Sequence, residues 1–398
     1  MLSVAQATDF IQQHLLQLPT EAVPLSQAAG RVLREPLVAD RDLPPFDRVT
    51  MDGIAFRYER YAAGQRRFRI EGTQYAGQPG RALAGEDTCL EAMTGAVLPA
   101  GTDTIVRYED LRLADGWAEI LVETVQPGQN IHRRASDRPV GDVLVQPSIR
   151  LSPAELAVAA SVGHARVEVT ARPRLALVST GDELVEVDEI PEPHQIRRSN
   201  VYFLQAALEA AGAVTERFHL PDEVGAMEGG LGRLLEEFDA LVLSGGVSAG
   251  KADFVPQVLE RLGVRKVFHQ VAQRPGKPLW FGATAAGKPV FGLPGNPVST
   301  FLCTYRYLRP WLRASLGEAR AAVPMARLAE PVLFKPALTY FLPVSLRMGA
   351  DAVLEARPFP GGGSGDYANL LRCDGFLELP AGESEFAVGE VFPVWGFR

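Results

Sequence analysis

Hydrophobic positions change their period several times along this chain, and each change marks a new architecture. Over residues 3–17, Val4, Ala7, Phe10, Ile11 and Leu15 recur near the helical period, with Ser3 at the N-cap position and Pro19 beyond the end. From 41 to 137 the pattern shortens to alternating segments such as Arg67-Phe68-Arg69-Ile70 and Ala118-Glu119-Ile120-Leu121-Val122. Gly, Pro and Asp separate these segments, which predicts a small β-rich module. A helix returns at 152–163, where Ser152 caps, Pro153 fills the first turn and Gly163 terminates. The β-rich module (41–137) therefore reads as an insertion between two parts of one small helical linker region, 1–40 and 138–168.

Residues 169–318 alternate regularly between buried-type strands and helices. Leu175–Val178, Val214–Leu220, Ala240–Leu243, Val264–Phe268, Leu279–Phe281 and Val290-Phe291 read as strands. Helices are expected from Ser199 to Ala211, Leu231 to Phe238, Phe254 to Leu262 and Val298 to Leu316. Such alternation predicts a three-layer α/β domain, a parallel sheet with helices on both faces. Beyond 319 the helical period disappears, and short strands with Gly and Pro turns predict a terminal β-barrel or sandwich. The fold class is thus α/β multidomain.

Three loops of the α/β region each follow a strand and precede a helix. They are Ser179-Thr180-Gly181-Asp182-Glu183, the stretch from Ser244-Gly245-Gly246-Val247-Ser248 to Asp253, and Leu293-Pro294-Gly295-Asn296-Pro297. Loops at the carboxyl ends of strands are where open α/β sheets bind ligands. Glycines let backbone N–H groups approach a phosphate, and a following helix N-terminus adds partial positive charge. Asp182, Glu183 and Asp253 on the same loops suit a hard divalent cation. Gly245 to Lys251 satisfies the first seven positions of a P-loop, but Ala252 replaces the hydroxyl that would hold Mg²⁺, which disfavours a P-loop ATPase. No strand is followed by G-x-G-x-x-G, so a nicotinamide oxidoreductase is disfavoured as well.

Composition narrows the class without naming the chemistry. The chain has 398 residues, 46% of them hydrophobic and 22% charged, and a formal net charge of −8. That balance, with no long basic run, argues against generic nucleic-acid binding. The cluster His132-Arg133-Arg134 is local and suits one anionic ligand or a solvated turn. Cys89, Cys303 and Cys373 offer neither a disulfide framework nor metal-ligand spacing. With no signal-peptide pattern and no apolar run near ~18 residues, no membrane association and a cytoplasmic location are expected.

Seven fragments in one order carry a resemblance. They are Leu43-Pro44-Pro45-Phe46-Asp47 with Met51-Asp52-Gly53, Met93-Thr94-Gly95 through Gly101, Gly128-Gln129-Asn130-Ile131-His132-Arg133-Arg134, Ser179 to Leu184, Ser244 to Ser248, Arg274-Pro275-Gly276-Lys277-Pro278, and Leu293 to Ser299. Over essentially its whole length the chain resembles the molybdopterin molybdenumtransferases of the MoeA type, the family that includes the E domain of gephyrin. The resemblance implies insertion of molybdenum from molybdate into the dithiolene of adenylyl-molybdopterin, release of AMP, and help from Mg²⁺ or another divalent cation. It also implies a homodimer whose cleft gathers the β-rich module of one subunit and the α/β and barrel domains of the other. Protein partners are then an enzyme that supplies adenylyl-molybdopterin and apo-molybdoenzymes that receive the product.

Carried over residue by residue, the resemblance assigns catalytic roles to Asp52, Thr94, Asp137 and Glu183, and metal binding to Glu183 and Asp253. Cofactor binding falls to Ser179, Thr180, Gly181, Asp222, Gly245, Gly246, Ser248, Arg274, Lys277, Pro294, Gly295, Asn296, Pro297 and Ser364. Arg274 and Lys277 flank a Pro-Gly turn and present cationic donors suited to phosphate or molybdate. Simpler readings exist beside these: an Asx turn for Asp52, a helix N-cap for Asp222, and solvated loop carboxylates for Glu183 and Asp253. Two departures remove positive charge from an oxyanion pocket, Gln270 where relatives often carry lysine and Pro343 where arginine is frequent. His269 or Arg347 are the candidates to compensate. A non-catalytic carrier of the pterin and a tungstate-specific enzyme remain open as alternatives.

Overall fold

A computed structural model describes residues 1–247 and 254–398 of the chain. At its centre the strand Arg174–Thr180 divides its side chains between two cores. Leu175 and Leu177 pack with Val201, Leu204, Leu302 and Trp311 on one face. Ala176 and Val178 pack with Met227, Leu231, Val255 and Leu259 on the other. A strand alternates its side chains, so a continuous apolar run is needed only where both faces are covered. The sheet order is Val214–Leu220, Arg174–Thr180, Ala240–Ser244, Pro289–Leu293, Trp280–Ala283, Arg265–His269. The first four strands are parallel, and the last two pairings are antiparallel. All three candidate loops leave the parallel part at its carboxyl end.

The first helix runs Val4–Gln12, with a capping box between Ser3 and Gln6. It stops short of residue 17 because Leu15, Leu16 and Leu18 pack against the α/β core from a non-helical segment. Val4, Ala7 and Ile11 join that same core. Periodicity identified the helix but not the surface it covers. By contrast, Val23, Ala28, Leu33 and Leu37 share a separate core with Val145, Leu151, Ala159, Val167 and Val169. There the helix Pro153–Ser161 is joined by two strand pairs, Thr20–Pro24 with Arg166–Thr170 and Leu37–Val38 with Val143–Val145.

Residues between these segments form a six-stranded sheet built from strands between Gly53 and Ile120, over Ile54, Phe56, Phe68, Cys89 and Val106. At the other end of the chain, five strands from Met325 to Gly396 close on themselves, since Thr339–Met348 pairs with both Leu354–Pro358 and Gly375–Leu379. The short strand Gln273–Arg274 of the α/β region adds to this barrel in parallel with Thr339–Tyr340.

The long closing helix expected from 298 to 316 is broken into Pro297–Cys303, a π-helical turn Thr304–Leu308, and Arg309–Ser315. Pro310 explains the change of register: it has no N–H to donate, and its ring crowds the carbonyl of Arg306 four residues back. Arg306 is buried in the π turn and donates from Nε to Glu378 Oε2 of the barrel at 2.9 Å.

Candidate functional site

The three strand-end loops enclose a cavity of about 500 Å³. Ser179, Thr180, Gly181, Glu183, Ser244, Gly245, Gly246 and the run Pro294–Pro297 line it, as does Asp222 from the loop after the neighbouring strand. The glycines are there for close approach. Gly245 and Gly246 take φ of +102° and +65°, and a Cβ on them would stand 2.9 Å from Thr180 O and 2.8 Å from Thr180 Oγ1. A side chain at either position would close the gap between two loops that must both face the ligand.

Asn200, which the sequence reading did not single out, ties these loops together. Its Nδ2 donates to Ser244 Oγ at 2.8 Å and to Gly295 O at 2.9 Å, and its Oδ1 accepts from Tyr367 Oη at 3.0 Å. Burial pushes the Tyr367 phenol up, so it stays protonated as the donor. A second strut comes from Ser364, whose Oγ accepts from Asn296 Nδ2 at 3.0 Å and whose carbonyl accepts from Val298 N at 2.9 Å. The barrel loop 361–367 thereby braces two walls of the cavity.

Glu183 and Asp222 place carboxylates on the cavity wall, and Asp182 Oδ1 accepts from Asp222 N at 3.0 Å. The N-cap of the helix Val224–Glu237 is Glu223, whose side chain accepts from Gly225 N and Ala226 N; Asp222 is not the cap. Among the described residues no group of three or more His, Cys, Asp or Glu comes together as a metal cluster. Ser248 and Asp253, expected as cofactor-binding and metal-binding residues, lie outside the described residues, as do Lys251 and Ala252. Ser199 sits at the N-cap of Asn200–Ala210, but its side chain makes no capping bond.

Arg274 and Lys277 are exposed and lie outside the lining of this cavity, although Pro278 from the same loop is part of it. That loop is held from below: Gln273 Nε2 donates to Gly276 O at 3.1 Å, and the buried Tyr307 hydroxyl donates to Gln273 Oε1.

Asp52, Thr94 and Asp137 stand on the inserted module and do not line the cavity of their own chain. Asp52 Oδ1 accepts from Thr94 Oγ1 at 2.7 Å and from Thr94 N at 2.6 Å. Its carboxylate is therefore bonded to a residue far along the chain, not to its own turn as an Asx reading requires. Those bonds, the hydroxyl first, hold the Asp52 carboxyl below the ordinary carboxylate range. Asp137 Oδ1 meets His132 Nε2 at 2.8 Å. Arg133 and Arg134 are likewise engaged, with Asp47 at 2.7 Å and Asp42 at 2.6 Å.

Comparison with known proteins gives a consistent result along the whole chain. Residues 2–163 match the model described as MoeA N-terminal region (domain I and II), 176–314 a probable molybdopterin binding domain, and 325–397 the MoeA C-terminal region (domain IV). A protein of Synechocystis named molybdopterin molybdenumtransferase is 40% identical over 400 residues, covering 100% of both chains. Another of that name from Synechococcus elongatus is 34% identical, covering 98% of each.

The chain belongs to the MoeA family. Its fold agrees: a crystal structure of a MoeA protein from Pyrococcus horikoshii superposes with a TM-score of 0.85 at 30% identity, covering 100% of this chain and 99% of that one. Against that background the two departures can be placed. Gln270 has φ +72° and is tied through its backbone to Leu279 at 2.9 Å and Leu2 at 3.3 Å. Pro343 is buried in the long barrel strand, with its carbonyl accepting from Phe359 N at 2.8 Å. Neither lines the cavity. His269 donates from Nε2 to Val247 O at 2.9 Å, supporting the glycine loop from behind, and Arg347 is exposed on the barrel. No membrane-crossing helix occurs among the described residues.

Proposed function

We propose that this MoeA-family chain is a molybdopterin molybdenumtransferase, which passes molybdenum from molybdate to the dithiolene of adenylyl-molybdopterin and releases AMP. The observation that carries the reading is the convergence of the three strand-end loops on one cavity, where a buried Thr180 hydroxyl has no hydrogen-bond partner among the described residues. A buried polar atom left without a bond costs free energy, and a ligand restores it. In this reading Ser179, Thr180, Gly181, Gly245, Gly246 and Pro294–Pro297 cradle the phosphates. Arg274 and Lys277 meet the oxyanion from the adjoining loop, and Ser364 keeps Asn296 in place.

A divalent cation such as Mg²⁺ fits this wall by its donor chemistry. It takes one or two protein carboxylates and completes its shell with substrate phosphate and water, so a three-carboxylate cage is not required. Glu183 would hold it, with Asp253 as the second expected ligand; when bound, the ion offsets charge on the phosphoryl oxygens as AMP departs. In this reading the protein is a cytoplasmic homodimer in which Asp52, Thr94 and Asp137 reach the partner's cavity, served by one enzyme that supplies the pterin and by apo-enzymes that receive the product. That the three residues do not line the cavity of their own chain supports the dimer. The test is AMP release from adenylyl-molybdopterin by the purified protein, with and without molybdate and Mg²⁺. Release that requires both is expected. Tight pterin binding with no release under any condition would leave only a carrier.

A further inference from the structure

One buried cation on the cavity wall has no role in the reading above. Arg198 is 7% exposed, although it lines a cavity of about 500 Å³. Its Nη2 pairs with Glu186, its Nη1 reaches Ser179 Oγ only at 3.4 Å, and its Nε has no hydrogen-bond partner among the described residues. Thr180, 3% exposed on the same wall, also has an unpartnered hydroxyl. Two buried donors left unsatisfied on one cavity wall are unusual, because native interiors pair nearly all such groups. Directly after Arg198 begins the eleven-residue helix Asn200–Ala210, whose N-cap Ser199 makes no side-chain capping bond. Asn200 and Val201 from its first turn line the same cavity. The positive end of that helix adds to the guanidinium.

We propose that Arg198 and Thr180, at the N-terminus of the helix Asn200–Ala210, form a subsite for a tetrahedral oxyanion. Guanidinium donors suit the oxygens of phosphate or molybdate, and the Thr180 hydroxyl supplies a further donor. Glu186 offsets part of the Arg198 charge, and Glu183 and Asp222 stand on the same cavity wall. A divalent cation held at Glu183 would offset that negative charge when the anion binds. This proposal rests on the transferase reading for its ligands, which leaves two sources for the anion: a phosphoryl group of the adenylylated pterin, or molybdate itself.

Calorimetry on the full chain with Mg²⁺ present, titrating AMP and sodium molybdate separately, tests it. Arg198→Met should weaken at least one of the two anions about tenfold or more, the loss expected for a charged hydrogen bond. Thr180→Val should weaken the same anion several-fold, and Arg198→Lys should restore part of the loss. Weakened AMP with unchanged molybdate assigns a phosphoryl subsite; the reverse assigns molybdate; loss of both assigns a position that both anions visit. Unchanged affinities in folded Arg198→Met overturn the proposal. Should that variant melt before it can be titrated, unchanged affinities in Thr180→Val overturn it instead. Anion binding that depends on Arg198 in a wild-type protein that never releases AMP would defeat the transferase reading and leave the subsite standing.

Discussion

The α/β cavity and the inserted β module handle their polar groups in opposite ways. On the module both candidate carboxylates are already engaged, Asp52 by Thr94 and Asp137 by His132, and so are their neighbours Asp47 by Arg133 and Asp42 by Arg134. In the cavity, the Thr180 hydroxyl and Arg198 Nε have no partner among the described residues. The module is set in advance, its side chains oriented by bonds internal to the module. The cavity keeps spare donors that a ligand with oxygen acceptors can use. The lesson is that the cavity, although braced through Asn200 and Ser364, keeps spare donors, whereas the module's candidate carboxylates are already bonded.

The sharpest way to break the contrast is to damage the module alone. A Cβ on Gly53 would lie 2.0 Å from the carbonyl oxygen of Val106 on the paired strand, and backbone cannot move aside as a side chain can. Gly53→Val is expected to cost about 3 kcal/mol or more. Hydrogen exchange should then show loss of protection in Gly53–Phe56 and Thr104–Arg107, while anion binding by the α/β cavity persists. Unchanged protection would mean that the module is not the preset body described here.

A smaller and more selective effect is expected from Asp52→Ala. AMP release should fall about a hundredfold or more, the scale of a lost acid–base group, with pterin affinity retained. Full activity would remove Asp52 from the chemistry. Next in size is Tyr367→Phe, which deletes the hydroxyl bonded to Asn200 and should slow turnover roughly threefold to tenfold, as one neutral hydrogen bond allows. A melting temperature close to wild type with an unchanged rate would show that the barrel does not brace the cavity.

The smallest effect concerns pH. Asp52 is held below its ordinary carboxylate range, first by the Thr94 hydroxyl and then by its amide. A group depressed in the folded state contributes stability above its unfolded value and loses it as pH falls through the folded one. The Asp52–Thr94 pairing should therefore survive acidification to about pH 4 and open only below it. An NMR titration of the Thr94 amide reads this directly, and opening within the ordinary range would contradict it.

How much of this was legible beforehand differs by element. Leu175–Val178 and Ala240–Leu243 announced themselves because a strand covered on both faces must be apolar throughout. The three loops were visible through their glycines; Gly181, Gly245 and Gly246 take positive φ with close neighbours, and Gly295 does not. The helix Val4–Gln12 was legible as a helix and not as a cover for the α/β core, since periodicity names a face and never its partner. Arg198 was invisible. In Ile196-Arg197-Arg198-Ser199 it reads as one more solvated charge, and its burial and its contacts to Glu186 and Ser179 show only in the fold. The π turn followed from Pro310, which was in plain view but was outweighed by the apolar pattern around it.

The strand Gln273–Arg274, paired to the barrel strand Thr339–Tyr340, has a consequence in time as well as in space. The loop bearing Arg274 and Lys277 gains its register from residues synthesised more than sixty positions later. Asn296 and Asn200 wait still longer for Ser364 and Tyr367. A nascent chain can therefore fold its central sheet well before it owns a finished pocket. Chains that stop short of the barrel would carry the glycine loops without their braces, so synthesis itself withholds a working site until the C-terminal barrel is made.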